Sequence, residues 1–313
     1  MVDLTIVLPE GFLEEEVRSG HFVSSDMKQA WAVMLDLLSE LLRVCGKHNL
    51  RVFASEGTLL GAVRHQGFIP WDDDLDLCMF RDDFNKLLSL GGEFRHPYFL
   101  QSGYSDKDYI AGLAKLRNSD TTGIQVDQQQ FFFNQGICID IFPLDNYIED
   151  EKKRKRQENR SLFWRMLAYA SADYTTRFKK DGKGAWLSFV RLTRPLLRPL
   201  VEKLDLKTRF FALFDKECQR YNIVPTEYVS VLCFRRKSGM RLRRRSSYDN
   251  TVNLPFEFMT IPCPSDYDRL LSDQYGDWHE FVKGAAFHKG IIFDTSVPYT
   301  EYYKKIHREA VSG

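Results

Sequence analysis

The run Glu56-Gly-Thr-Leu-Leu-Gly-Ala-Val-Arg-His-Gln-Gly-Phe-Ile-Pro-Trp-Asp-Asp-Asp-Leu-Asp76 constrains this chain more than any other part of it. It follows Leu50–Ala54, a short stretch that reads as a buried strand. Gly57-Thr58 then forms a sharp strand-to-helix turn, because glycine lets the backbone approach a ligand and threonine can cap a helix. A helix start of this kind, with Leu59–Val63 as its first turns, offers free N–H groups and a positive dipole end, which suit a phosphate. Gly67 and Pro70 end the helix. Asp74-Leu-Asp-Leu-Cys-Met79 then alternates at period two, which puts Asp74 and Asp76 on one strand face and sends Leu75 and Leu77 into the core.

Two carboxylates on one strand face repel each other and lose solvation, so a fold that keeps them supplies a cation. Oxygen ligands favour Mg²⁺ or Mn²⁺ over zinc. A phosphate-cradling turn followed by an acidic pair is a constellation for phosphoryl transfer. The bland alternative is an acidic surface loop leading into an edge strand. The Gly-Thr turn and the apolar alternation around Asp76 favour the first.

Residues 57–76, Gly-Thr-Leu-Leu-Gly-Ala-Val-Arg-His-Gln-Gly-Phe-Ile-Pro-Trp-Asp-Asp-Asp-Leu-Asp, resemble the signature of the LicD family of phosphotransferases, which is related to fukutin and fukutin-related protein. The likeness continues at Lys115-Leu-Arg117, at Gly136–Asp145 and at Tyr275-Gly-Asp-Trp278, while residues 150–235 match nothing specific. The resemblance implies the nucleotidyltransferase fold: an α/β (α+β) mixed sheet flanked by helices, with a third acidic residue on a later strand. Asp140, alone in the apolar run Ile137–Phe142, fits that third position, and the alternative is a core-edge carboxylate capping a backbone amide. Asp145, just past Pro143, is open between the site and a turn cap.

Lys115 and Arg117 share one face of their strand, where basic groups would balance a diphosphate. Arg64 and His65 are further candidates for donor contact. His65 is a candidate base, although a single histidine at a helix end is more often a cap for the last carbonyls. The site expected is therefore Asp74, Asp76 and Asp140 as catalytic and metal ligands, with Gly57, Thr58, Arg64, His65, Lys115 and Arg117 on the donor.

Helix and strand signals elsewhere give a helix from Ser24–Asp26 to Gly46 and another over Arg81–Leu90. Strands are expected at Tyr98–Gln101, Ile110–Leu116, Thr121–Val126 and Gly136–Phe142, and a further helix over Ser265–Gly276. From Glu151 to Arg209 there are 17 Lys/Arg against 6 Asp/Glu, in a chain whose formal net charge is only +1. The expected division is a catalytic core over 1–150, a basic and mainly helical insert over 151–250, and a C-terminal α/β segment over 251–313 that completes the core. The insert suits a lid, an anionic glycan acceptor or, through 151–209, an anionic membrane surface. Arg235–Lys237 and Arg241–Arg245 read as a basic loop. No nucleic-acid partner is expected, since the basic segments lack a recognisable binding motif.

The six cysteines are scattered, with neither metal-site nor disulfide spacing. No signal peptide or membrane span is legible, so the location expected is cytoplasmic, with peripheral contact at the inner membrane face. The resemblance implies transfer of a phospho-alcohol, phosphocholine by default, from a CDP-activated donor such as CDP-choline to a glycan or glycolipid hydroxyl, as in lipopolysaccharide or teichoic acid modification. Three rivals stay open. They are an Asp-x-Asp glycosyltransferase, a non-catalytic protein that binds polyanions or membranes, and a tRNA- or antibiotic-directed nucleotidyltransferase.

Overall fold

The structure is a computed structural model that describes residues 1–129, 131–172, 199–233, 242–281 and 290–304. The chain opens with a hairpin of β1 (Glu16–Arg18) and β2 (His21–Val23). Helix α1 (Ser25–His48) follows, its first turn capped by Ser24, whose hydroxyl accepts the Met27 N–H at 3.3 Å. The helix runs through Gly46, the expected stop, and ends where Asn49 turns left-handed. Gly46 is solvent-exposed, so an interior glycine costs this helix only about 1 kcal/mol. Asn49 is the better stop, because asparagine tolerates that conformation.

Next come β3 (Phe53–Ala54), α2 (Glu56–His65), β4 (Asp76–Phe80) and α3 (Arg81–Ser89). Strands β5 (Tyr98–Gln101), β6 (Ala114–Asn118), β7 (Thr122–Gln125) and β8 (Cys138–Tyr147) follow. Helices α4 (Glu151–Ser171) and α5 (Leu206–Cys218) lead to β9 (Tyr228–Ser230) and β10 (Arg243–Arg244). The chain continues with the hairpin of β11 (Thr251–Phe256) and β12 (Met259–Pro264), then α6 (Tyr267–Tyr275) and β13 (Ile291–Asp294).

The result is a mixed α/β fold in which a seven-stranded sheet, ordered β10-β9-β8-β4-β3 with β6 and β5 branching from β8, carries flanking helices. Strand β8 is the hub. It runs parallel to β4, antiparallel to β6 along its first half and antiparallel to β9 along its second. Its sequence explains this: Ile139 and Ile141 point into the core and are fully buried, as are Leu75, Leu77 and Leu116 on the neighbouring chain segments. Helix α1 closes that core with Trp31, which stacks on Phe68 at 4.7 Å between centroids. The basic middle of the chain contributes α4, the edge strand β10 and its neighbour β9, so the sheet continues through it. The apolar spacing from Trp186 to Val201 also predicts a second helix there, which lies almost wholly outside the described residues. No helix among the described residues is long and apolar enough to cross a membrane.

Candidate active site

Helix α2 starts directly at the end of β3. Ser55 is its extended N-cap, Glu56 is left-handed at φ +49°, and the first helical bond runs from Leu59 N–H to the Ser55 carbonyl at 3.1 Å. The amides of Gly57 and Thr58 precede that bond and have no partner within the helix. A side chain at Gly57 would sit 2.6 Å from the Asp72 carboxylate, so only glycine lets this turn lie against the acidic loop. Thr58 was expected to cap the helix; instead it is the third helical residue, and its hydroxyl accepts the Asp76 N–H at 2.8 Å. Ser55 N–H in turn donates to the Asp76 carbonyl at 3.0 Å. The turn and the start of β4 are thereby stitched together.

Asp76 is the first residue of β4, and Asp74 lies just ahead of the strand rather than within it. Parallel register sets Asp76 opposite Asp140 of β8, and antiparallel register sets Lys115 of β6 opposite Asp140. These three side chains come from three adjacent strands. The Lys115 ammonium lies 2.5 Å from the Asp140 carboxylate. Burial raises the Asp76 pKa well above the usual carboxylate range; Asp74, Asp140 and Glu56 push it further, and Lys115 only partly opposes them. For Lys115, burial alone would lower the pKa, but Asp140 outweighs it and the ammonium is held more firmly than usual. A recessed carboxylate among like charges is where a hard divalent cation fits. As the side chains stand, no three His, Cys, Asp or Glu groups among the described residues are gathered closely enough to hold an ion, since Asp140 is turned to Lys115.

Arg117, Arg64 and His65, the other expected donor contacts, have partners of their own. Arg117 is buried, with Nε donating to Gln101 Oε1 at 2.5 Å and Nη1 to the Gly136 carbonyl at 2.6 Å. Arg64 and His65 sit at the far end of α2, where Arg64 lies 5.3 Å over the Phe281 ring and donates to His65 Nε2 at 3.2 Å. Burial, then the Arg64 and Arg18 charges, lower the His65 pKa to about 4, so the imidazole is a neutral acceptor. Asp145, left open by the sequence, is fully buried and bidentate to Arg81 at 2.8 and 2.7 Å.

Sequence reasoning missed the brace behind the turn. Arg243 of β10 pairs with the Glu56 carboxylate and donates to Ser55 Oγ at 3.1 Å, while Gln274 of α6 donates to Glu56 at 2.5 Å. The signal available was the position of Glu56, next to Gly57. Nothing in the chain marked Arg243 apart from its basic neighbours.

Residues 49–163 match the model of the LicD/FKTN/FKRP nucleotidyltransferase domain. This segment is a LicD-family domain. The match encloses Gly57, Thr58, Asp74, Asp76, Lys115 and Asp140. The chain is similar to the lipopolysaccharide cholinephosphotransferase LicD of Haemophilus influenzae, at 30% identity over 92 residues, which is 29% of this chain and 35% of that protein. It is 29% identical to an uncharacterized protein of Rickettsia prowazekii over 184 residues, 56% of this chain and 64% of the relative. It is 27% identical to the human ribitol 5-phosphate transferase FKRP over 99 residues, 31% of this chain and 20% of FKRP. The chain thus spans less than two thirds of these relatives' length. The LicD domain supplies the turn and the aspartates, whereas the brace from Arg243 and Gln274 comes from beyond it.

Proposed function

We propose that the chain is a metal-dependent phosphotransferase that moves a phospho-alcohol, phosphocholine by default, from a CDP-activated donor to a hydroxyl of a cell-surface glycan or glycolipid precursor, releasing CMP. The observation that carries this reading is the register of Asp76 with Asp140 beside the hydrogen-bonded Gly57-Thr58 turn. The names of the LicD and FKRP relatives add that phospho-alcohol transfer is known on similar chains.

Asp74, Asp76 and Asp140 are the residues that would hold Mg²⁺ or Mn²⁺. The bound ion supplies charge neutralisation for the attacking and leaving oxygens of the displacement. The Gly57 and Thr58 amides hold the donor diphosphate at the helix start. Lys115 is the nearest fixed cation to Asp140, and it keeps the acidic cluster tolerable before donor and ion arrive. In the transfer, the acceptor oxygen bonds to the phosphorus bearing the alcohol, the bond from that phosphorus to the CMP oxygen breaks, and one of the carboxylates takes the hydroxyl proton.

The acceptor is assigned to the side of the basic helices. Lys152, Lys155, Arg156 and Arg160 line one face of α4 beside the exposed Phe163, a surface suited to an anionic glycan or membrane. The test is a donor screen by mass spectrometry with Mg²⁺, setting CDP-choline and CDP-ribitol against nucleotide sugars and NTPs. CMP release with phosphorus retained on the product supports the reading. Transfer of a sugar alone, or consumption of NTP, would overturn it.

A further inference from the structure

Glu56 combines two unusual features. Its backbone is left-handed at φ +49°, a conformation costly for any residue with a Cβ other than asparagine or aspartate, and its carboxylate is gripped from two sides. Arg243 pairs with one carboxylate oxygen, and Gln274 Nε2 donates to the other at 2.5 Å. Arg243 is itself buried at 6% exposure and donates to Ser55 Oγ at 3.1 Å and Tyr248 Oη at 3.4 Å, so its guanidinium is fixed independently of Glu56. Tyr248 in turn packs edge-on against Phe53 of β3 and Phe80 of β4, at 5.2 and 5.7 Å. The grip therefore runs from a rigid part of the core to the residue immediately before the Gly57-Thr58 amides.

We propose that Arg243 is a positioning residue for the donor diphosphate: acting through Glu56, it holds the backbone twist that fixes the direction of the Gly57 and Thr58 amides. This rests on the reading of that turn as the diphosphate cradle. The physical logic is that a strained φ persists only when surrounding contacts over-determine it. Once the Arg243 contact is lost, Glu56 relaxes towards ordinary backbone geometry and the two following amides rotate with it. Glycine is the one residue for which the left-handed twist costs little. Glu56→Gly should therefore remove the need for the brace.

That relation gives a test in which structural damage and positioning are separated. Wild type, Arg243→Gln, Arg243→Lys, Glu56→Gly and Glu56→Gly/Arg243→Gln would be compared for CDP binding by calorimetry in Mg²⁺. Amide hydrogen exchange over residues 55–60 and thermal melts would be measured on the same samples. Arg243→Gln should weaken CDP binding by about tenfold and speed exchange over 55–60, the size expected if one strained conformer is lost. Arg243→Lys, which keeps the charge, should fall between. The double variant should regain CDP affinity within about twofold of wild type even if its melt stays low, which a merely structural role for Arg243 would not produce. Unchanged CDP affinity and exchange in Arg243→Gln, or no recovery in the double variant, overturns the inference while leaving the cradle in place. A wild-type protein that binds no CDP overturns the cradle and the inference together.

Discussion

The Thr58 hydroxyl accepts the Asp76 main-chain N–H at 2.8 Å, so the first turn of α2 and the first residue of β4 form one hydrogen-bonded unit. Thr58 is only 6% exposed, and water has little access to replace it. Thr58→Val keeps the shape but leaves the Asp76 N–H without a partner, which costs about 1–3 kcal/mol. Thr58→Ser keeps the acceptor and should recover most of that. Urea unfolding of the three proteins checks the order; a valine variant as stable as the serine one would mean the bond does not hold the unit together.

Asp76 lies recessed among Asp74, Asp140 and Glu56, so its charge is a burden on the apo fold. Asp76→Asn should leave the melting temperature unchanged or raise it, while transfer activity falls by at least about a hundredfold, as loss of a few kcal/mol of transition-state stabilisation implies. The two readouts move in opposite directions only if Asp76 is kept for chemistry. A variant that turns over at the wild-type rate removes the metal-centred mechanism.

The run from Glu56 to Asp76 disclosed the turn, the helix and the following strand because each is written in local chemistry: glycine after a strand, period-two alternation, buried Leu75 and Leu77. The pairing of Asp76 with Asp140 depended on a likeness, since no local pattern says which strands become neighbours. What stayed hidden were partnerships between distant residues. Arg117 has the same strand alternation as Lys115, yet Gln101 and the Gly136 carbonyl consume its guanidinium. The cap position lies three residues ahead of Thr58, at Ser55: with Glu56 and Gly57 already inside α2, the Thr58 hydroxyl reaches β4 rather than the helix's own amides. The helix passes Gly46 and stops at Asn49, where the backbone turns left-handed and the Asn49 N–H closes on the Cys45 and Gly46 carbonyls.

His65 makes stability depend on pH in a defined window. Its folded pKa is lowered to about 4, while an unfolded histidine titrates near about 6.5. Between these values the unfolded chain binds the proton and the folded chain does not. The stability His65 confers is therefore complete above the unfolded pKa and is lost as pH falls towards 4. His65→Gln cannot titrate, so its melting temperature should decline less steeply than wild type across that window. Parallel pH profiles for the two proteins would show that the imidazole stays accessible to protons in the fold.

Arg81 joins the basic helices to the sheet. It pairs with Asp145 of β8 at 2.7 Å and with Asp215 of α5 at 2.9 Å, and all three groups are buried. Burial would lower the Arg81 pKa, but the two carboxylates override it and hold the guanidinium charged. Removing Arg81 alone leaves two buried carboxylates uncompensated, partly eased by Asn222 on Asp145 and Tyr104 on Asp215. Arg81→Gln should therefore cost about 3–5 kcal/mol in urea unfolding. Replacing the whole set, Arg81→Met with Asp145→Leu and Asp215→Leu, removes the buried charges along with their attraction and should regain most of that loss. A triple variant much less stable than Arg81→Gln would show that these groups contribute net attraction rather than alignment of α5 on β8.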